Sequence, residues 1–159
     1  MRKSFILLIL LGLTLVHCRY SSIYSNNQSV NFKIISIDIN GDAEINNLIK
    51  ANLTKYTYTD SRPKIELNIK LNTKYEKKIL TKDLTGTPTD FKLSIETTMD
   101  ADILDLNGNI KKQSFKFSES INIKNDEDNF EQKKYERTVK RNMTTTILGQ
   151  ITFNLTNIK

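Results

Sequence analysis

The side chains that carry most enzyme chemistry are scarce in this sequence. It has one histidine, His17, one cysteine, Cys18, and no tryptophan. Ser-His-Asp and Cys-His catalysis need an imidazole beside the nucleophile, and zinc sites need several Cys or His ligands. Beyond Cys18 the chain offers neither. Carboxylates are the remaining candidates, because a facing pair can divide acid and base work. Asp100, Asp102 and Asp105 lie close in sequence. Yet Asp100 and Asp102 alternate with Met99, Ala101 and Ile103, which puts them on the solvated face of a strand, where charge serves solubility. Gly86 and Gly108 sit in turn sequences and form no phosphate loop. The reading is a protein that is not an enzyme, with no metal and no cofactor.

Cys18 has a chemistry of another kind. Arg2 and Lys3 precede the apolar run Phe5 to Val16, which is too short to span a bilayer as a permanent helix. Residues 1–17 therefore read as a signal segment. Leu15-Val16-His17-Cys18 resembles a bacterial lipobox, in which the cysteine is lipidated and becomes the first mature residue. His17 stands where Gly, Ala or Ser is usual. The alternative is a plain signal peptide followed by an incidental cysteine. Cys18 has no other cysteine to pair with, which favours lipidation. Acyl chains such as palmitate contribute about 0.8 kcal/mol per buried CH₂, so several would make attachment permanent. Arg19 is not the aspartate that retains many enterobacterial lipoproteins at the inner membrane, which favours the outer membrane, periplasmic side.

Composition agrees with export. The chain carries 24 basic and 18 acidic side chains. Loss of Arg2 and Lys3 leaves the remainder mildly positive, with the charge spread along the chain, so nucleic acid is not the expected partner. About 140 mature residues suit one domain with one modest core. No repeats and no second apolar span are evident. Residues 18–31 read as a lipidated N-terminus and polar tether, and 32–156 as a single domain.

A β-meander must position any site. Ile65, Leu67, Ile69, Leu71, Thr73 and Tyr75 alternate with polar residues. Phe91, Leu93, Ile95, Thr97, Met99, Ala101 and Ile103 repeat the pattern, and Phe115, Phe117, Ile121 and Ile123 continue it. Such period-2 runs predict an antiparallel sheet with one buried face. Glu119 breaks the third run. Thr81–Asp90 predicts a longer hairpin loop, and Leu106-Asn107-Gly108-Asn109 a tight Asn-Gly turn.

Ahead of the meander, Phe32–Ile39 predicts a strand with apolar residues on both sides: Phe32 and Ile34 on one, Ile35, Ile37 and Ile39 on the other. Asp42 is placed to cap a helix whose stripe is Ile45, Leu48, Ile49, Ala51, Leu53 and Tyr56. Asn125–Asp128 caps a long last helix with Tyr135, Val139, Met143, Ile147, Ile151 and Leu155 at every fourth position. The expected fold is α+β, a two-layer α/β sandwich. Its four-stranded mixed sheet carries both helices on one face, in the order β-α-β-β-β-α, with a right-handed βαβ crossover. Ile69, Ile95, Phe117, Leu48 and Val139 are expected in the core.

The anchor, tether and element order together resemble the LptE family, the lipopolysaccharide-assembly lipoproteins of Gram-negative outer membranes, and most closely the alphaproteobacterial type. Those proteins often begin Cys-Gly-aromatic-x-Pro-Leu-Tyr. This chain reads Cys18-Arg19-Tyr20-Ser21-Ser22-Ile23-Tyr24, with Arg19 and Ser22 in place of the glycine and proline. The resemblance implies a role in assembling and plugging the β-barrel LptD, and contact with lipopolysaccharide. Periplasm-facing lipoproteins that bind other envelope proteins, such as activators of cell-wall synthases or auxiliary parts of ABC transporters, share the anchor and fold class.

In the meander the first hairpin loop and the junction before the last helix lie at one end of the sheet. Lys77, Lys78 and Lys82 flank the first, and Lys124 stands at the second. The family resemblance implies lipopolysaccharide contact there, led by Lys82 and Lys124. Loop lysines commonly serve only solubility and edge protection, and Asp83, Asp90 and Asp126–Asp128 crowd the same end.

Overall fold

A computed structural model describes residues 30–58 and 63–158. The signal segment, Cys18 and nearly all of the tether lie outside the described residues. The alternating runs form β1 (Phe32–Gly41), β2 (Ile65–Lys82), β3 (Pro88–Asp105) and β4 (Ile110–Lys124), hydrogen-bonded in the order β1-β2-β3-β4. β1 runs parallel to β2, and the remaining pairs are antiparallel. Helix α1 (Ala43–Leu53) connects β1 to β2 and ends in a 3₁₀ turn, Thr54–Thr57, while α2 (Asn129–Thr156) closes the chain. This is the expected α+β sandwich, β-α-β-β-β-α.

Both helices start at the predicted caps. Asp42 Oδ1 accepts the N–H groups of Glu44 and Ile45, each at 3.1 Å, and Asp128 Oδ1 accepts those of Phe130 and Glu131. These bonds satisfy amides that have no partner within the helix. The core lies between the helices and the odd-numbered face of β2 and β3. Leu67, Ile69, Leu71, Leu93, Ile95 and Met99 pack with Ile45, Ile49 and Leu53 of α1 and Val139, Met143, Ile147, Ile151 and Leu155 of α2. Burial of each such aliphatic side chain contributes about 1.5–3 kcal/mol.

Four expectations need correction. The first strand does not bury two faces. Its register steps from Ile34 opposite Leu67 to Ser36 opposite Asn68, so Ile35 is an extra, bulged residue and is half exposed. The bulge shifts the alternation by one, which returns Ile37 and Ile39 to the face already used by Phe32 and Ile34. In α1, Leu48 is only partly buried; the fully buried stripe is Ile45, Ile49 and Leu53, at strict fourth positions. In α2, Tyr135 is exposed, and Gln132 takes the buried place one turn earlier. The first hairpin loop is also shorter than expected, because β2 and β3 stay paired as far as Lys82 and Pro88. Ile69, Ile95, Phe117 and Val139 are buried as anticipated.

The shortened loop exposes a repeat missed in the linear reading. Asp83-Leu84-Thr85-Gly86-Thr87 and Asp105-Leu106-Asn107-Gly108-Asn109 build the same tip at opposite ends of the meander. In each, the aspartate N–H donates to the main-chain carbonyl four residues on, and the glycine N–H donates to the aspartate carbonyl. Each aspartate carboxylate accepts the main-chain N–H groups two and four residues ahead. The glycines take φ of 87° and 81°, a conformation that disfavours any side chain.

Candidate functional site

Lys82 and Lys124 do lie at one end of the sheet. β3 runs between them: Asp90 faces Thr81 on one side and Lys124 on the other, and Lys82 faces Pro88. Thr81 and Thr89 hydroxyls donate to the Asp90 carboxylate. Those two bonds, helped by the Lys124 charge, hold its carboxyl below the usual aspartate range. Asp90 is therefore a fixed negative charge between the two lysines, and it weakens the field an anion would meet there.

The other two candidates separate. Lys78 lies on the open, polar face of β2, opposite Lys92 of β3, and pairs with Glu76 at 3.1 Å. Both lysines border a shallow basin of about 500 Å³, with Glu76, Ser94, Glu96 and Ser118 also on its lining. Lys92 escaped the sequence reading, although its even position in the second run gave the necessary signal. Lys77, one residue before Lys78, turns to the helix-covered face. It donates to Glu136 of α2, and its ammonium stands 3.9 Å from the Phe91 ring centroid. That contact fastens α2 to β2 and leaves Lys77 little charge to offer a ligand.

Further polar contacts continue this seam along α2. Gln132 is buried, accepts the Asp126 N–H at 2.8 Å and donates to Glu136 at 2.9 Å. Burial raises the Glu136 carboxyl, but the bonds from Lys77 and Gln132 outweigh it and leave the group below its ordinary range. Farther along α2, Lys140 reaches Asp42 at 2.8 Å and Glu44 at 3.3 Å, with its ammonium 4.6 Å from the Tyr75 ring centroid. Asp42 follows the same logic as Glu136: burial pushes it up, and Lys140 with the helix amides brings it below normal. Tyr75 is raised, first by burial and then by the neighbouring carboxylates.

Of the carboxylates weighed for catalysis, Asp100 and Asp102 border a common open-face basin, and Asp105 is not on its lining. Asp105 closes its hairpin, and Asp102 meets Lys112 at 3.7 Å on the open face. Among the described residues no three His, Cys, Asp or Glu side chains form a metal-binding group. What the basic end does provide is a set of ammonium groups on rigid strand ends. Lys78, Lys92 and Lys124 share the open face, and Lys82 stands at the tip beside them. Such groups attract phosphate or carboxylate as point charges, without the bidentate geometry of arginine.

The fold has counterparts among solved structures. It is similar to rare lipoprotein B from Shewanella oneidensis, with a TM-score of 0.56 and 13% identity over 76% of this chain and 92% of that one. It is also similar to a minor lipoprotein from Acinetobacter baumannii, with a TM-score of 0.51 and 16% identity over 78% and 90% of the two chains. At these identities the likeness is one of fold. No protein-family model matches the chain. No curated protein matches it in sequence.

Proposed function

We propose that this protein is a lipid-anchored lipoprotein of the bacterial outer membrane, facing the periplasm and acting in lipopolysaccharide assembly as LptE-type proteins do. On this reading it assists assembly of an LptD-like β-barrel and plugs it. It performs no catalysis, and its only prosthetic group is the lipid on Cys18. The observation that carries the proposal is the complete β-α-β-β-β-α sandwich, similar in fold to two structures named as lipoproteins. The lone Cys18 at the end of a short apolar run supports the anchor. The open face, with Asn68, Lys70, Asp100, Lys112 and Ser114 side by side, suits the wet, polar lumen of a barrel. Lys82 and Lys124, with Lys78 and Lys92 behind them, are the proposed contacts for lipid phosphates, while Lys77 serves the fold.

The test is affinity capture of the tagged full-length protein from detergent-solubilised envelopes, with mass spectrometry of its N-terminus. The expected result is a large outer-membrane β-barrel as the stoichiometric companion, and a mature chain that begins with an acylated Cys18. Recovery of a cell-wall synthase or an ABC transporter instead, or a free N-terminus at Arg19 or beyond, refutes the proposal.

A further inference from the structure

β2 is much longer than the strand that covers it. β1 pairs with Ile65 to Thr73 and then leaves the sheet at Gly41, so among the described residues nothing pairs with the outer edge of Lys74–Lys82. The direction of the free main-chain groups follows from the bonds at either end of the covered part. The Ile65 N–H donates outward to Asn31, and the Thr73 carbonyl accepts outward from Asp42. Odd residues of β2 therefore turn their N–H and C=O away from β3. Up to the irregularity after Ile79, the same phase leaves Tyr75, Lys77 and Ile79 with outward groups on an open edge.

That edge has a distinct chemistry on each side. Ile79 is 50% exposed and Tyr75 is half-buried, both on the side where α2 lies. Lys74 and Lys78 stand on the opposite, open face. From Lys74 to Lys82 there are four lysines and one acid, Glu76. A strand laid along β2 would alternate its own side chains between these two environments.

We propose that the β2 edge from Lys74 to Lys82 is a docking site for an extended partner segment in which apolar and acidic residues alternate. The apolar set would cover Ile79 beside α2, and the acidic set would meet Lys74 and Lys78. Main-chain bonds to Tyr75, Lys77 and Ile79 would supply a sequence-independent part of the affinity, as in other strand additions. A second copy of this chain is the wrong occupant, because pairing β2 with β2 sets lysines against lysines. The inference does not depend on the lipopolysaccharide reading.

The experiment uses the full-length protein in detergent micelles and a capped peptide alternating valine with glutamate, followed by amide hydrogen exchange. Exchange at Tyr75, Lys77 and Ile79 is expected to slow on peptide addition, while Lys112, Ser114 and Lys116 on the outer edge of β4, unpaired among the described residues, stay unchanged. Proline is tolerated where a strand N–H faces solvent, so Lys77→Pro removes one docking donor without breaking the β2–β3 ladder. It should weaken peptide binding at least about tenfold relative to Lys77→Ala, the equivalent of about 1.4 kcal/mol. The proposal is overturned by unchanged exchange at the three amides, by protection on β4 instead, by equal binding of a valine–lysine peptide, or by self-association that protects the same amides without peptide. If Lys77→Pro fails to fold, the exchange measurement on the unaltered protein still decides.

Discussion

Gly41 is the residue on which the crossover from β1 to α1 turns, and Gly41→Ala tests that directly. Its φ of 111° is one that residues with a side chain rarely adopt. A Cβ built there would lie 1.8 Å from the Thr73 carbonyl oxygen, where real contacts essentially never fall below 3.0 Å. The backbone conformation alone costs about 1–3 kcal/mol for a residue other than glycine. Relief of the clash must also move the chain away from β2 by more than 1 Å. The Asp42 N–H bond to Thr73, already 3.4 Å long, would break, at about 1 kcal/mol. The sum is about 2–4 kcal/mol, a large share of the 5–15 kcal/mol typical of a domain. Gly108→Ala is the matched control, because its φ is 81° but nothing lies within 4 Å of its added Cβ; it should cost only about 1–2 kcal/mol. Urea unfolding of both variants measures the difference as a shift in midpoint at constant m. Equal midpoints for Gly41→Ala and Gly108→Ala would show that close approach to Thr73 does not constrain the crossover.

Further measurements probe the core, the last helix and the ion pairs. Thr97 is fully buried, and its hydroxyl has no hydrogen-bond partner; Thr97→Val should raise stability by about 1–3 kcal/mol in the same unfolding assay. Gly149 lies on an exposed part of α2 with open space around it, so Gly149→Ala should stabilise by about 0.5–1 kcal/mol, read as a higher melting temperature. Asp42 and Glu136 have folded-state pKa values below the ordinary 3.8 and 4.5. Their contribution is complete above those unfolded-state values and is lost as pH falls through the lowered ones. The denaturation midpoint should therefore drop as pH is lowered past about 4, and Glu136→Gln should flatten part of that drop.

The strands were legible because each has one buried face, so the polarity of every second residue records the packing. In β1 the apolar positions change parity between Ile34 and Ile35, which is the mark of an inserted residue and not of burial on two faces. The parity that turns Tyr75 toward the core also turns Lys77 away from Lys78, so the separation of those two lysines was present in the sequence. The recurrence of Asp-Leu-x-Gly-x at 83–87 and 105–109 was visible too, but short motifs stand out only once both are known to be strand ends. What no pattern gave is the seam. Lys77 meets Glu136 across 59 positions, and Asp42 meets Lys140 across 98. Pairs so distant leave no periodic trace, because they depend on how α2 crosses β2 and not on either element alone.

One event in the chain explains why the candidate surfaces lie where they do. β1 ends halfway along β2 because Gly41 lets the chain turn under Thr73 and hand its next amides to the Asp42 cap. That turn brings Asp42 and Glu44 to the edge of the sheet, where Lys140 of α2 can reach both. Past that point β2 continues without a neighbour on its outer side among the described residues, so α2 holds it by side chains instead, through Lys140 near Tyr75 and Glu136 on Lys77. The far half of β2 is therefore held by β3 along one edge and by α2 on one face. Among the described residues its main-chain edge and its open face are left uncovered together, and the proposed docking site rests on that combination.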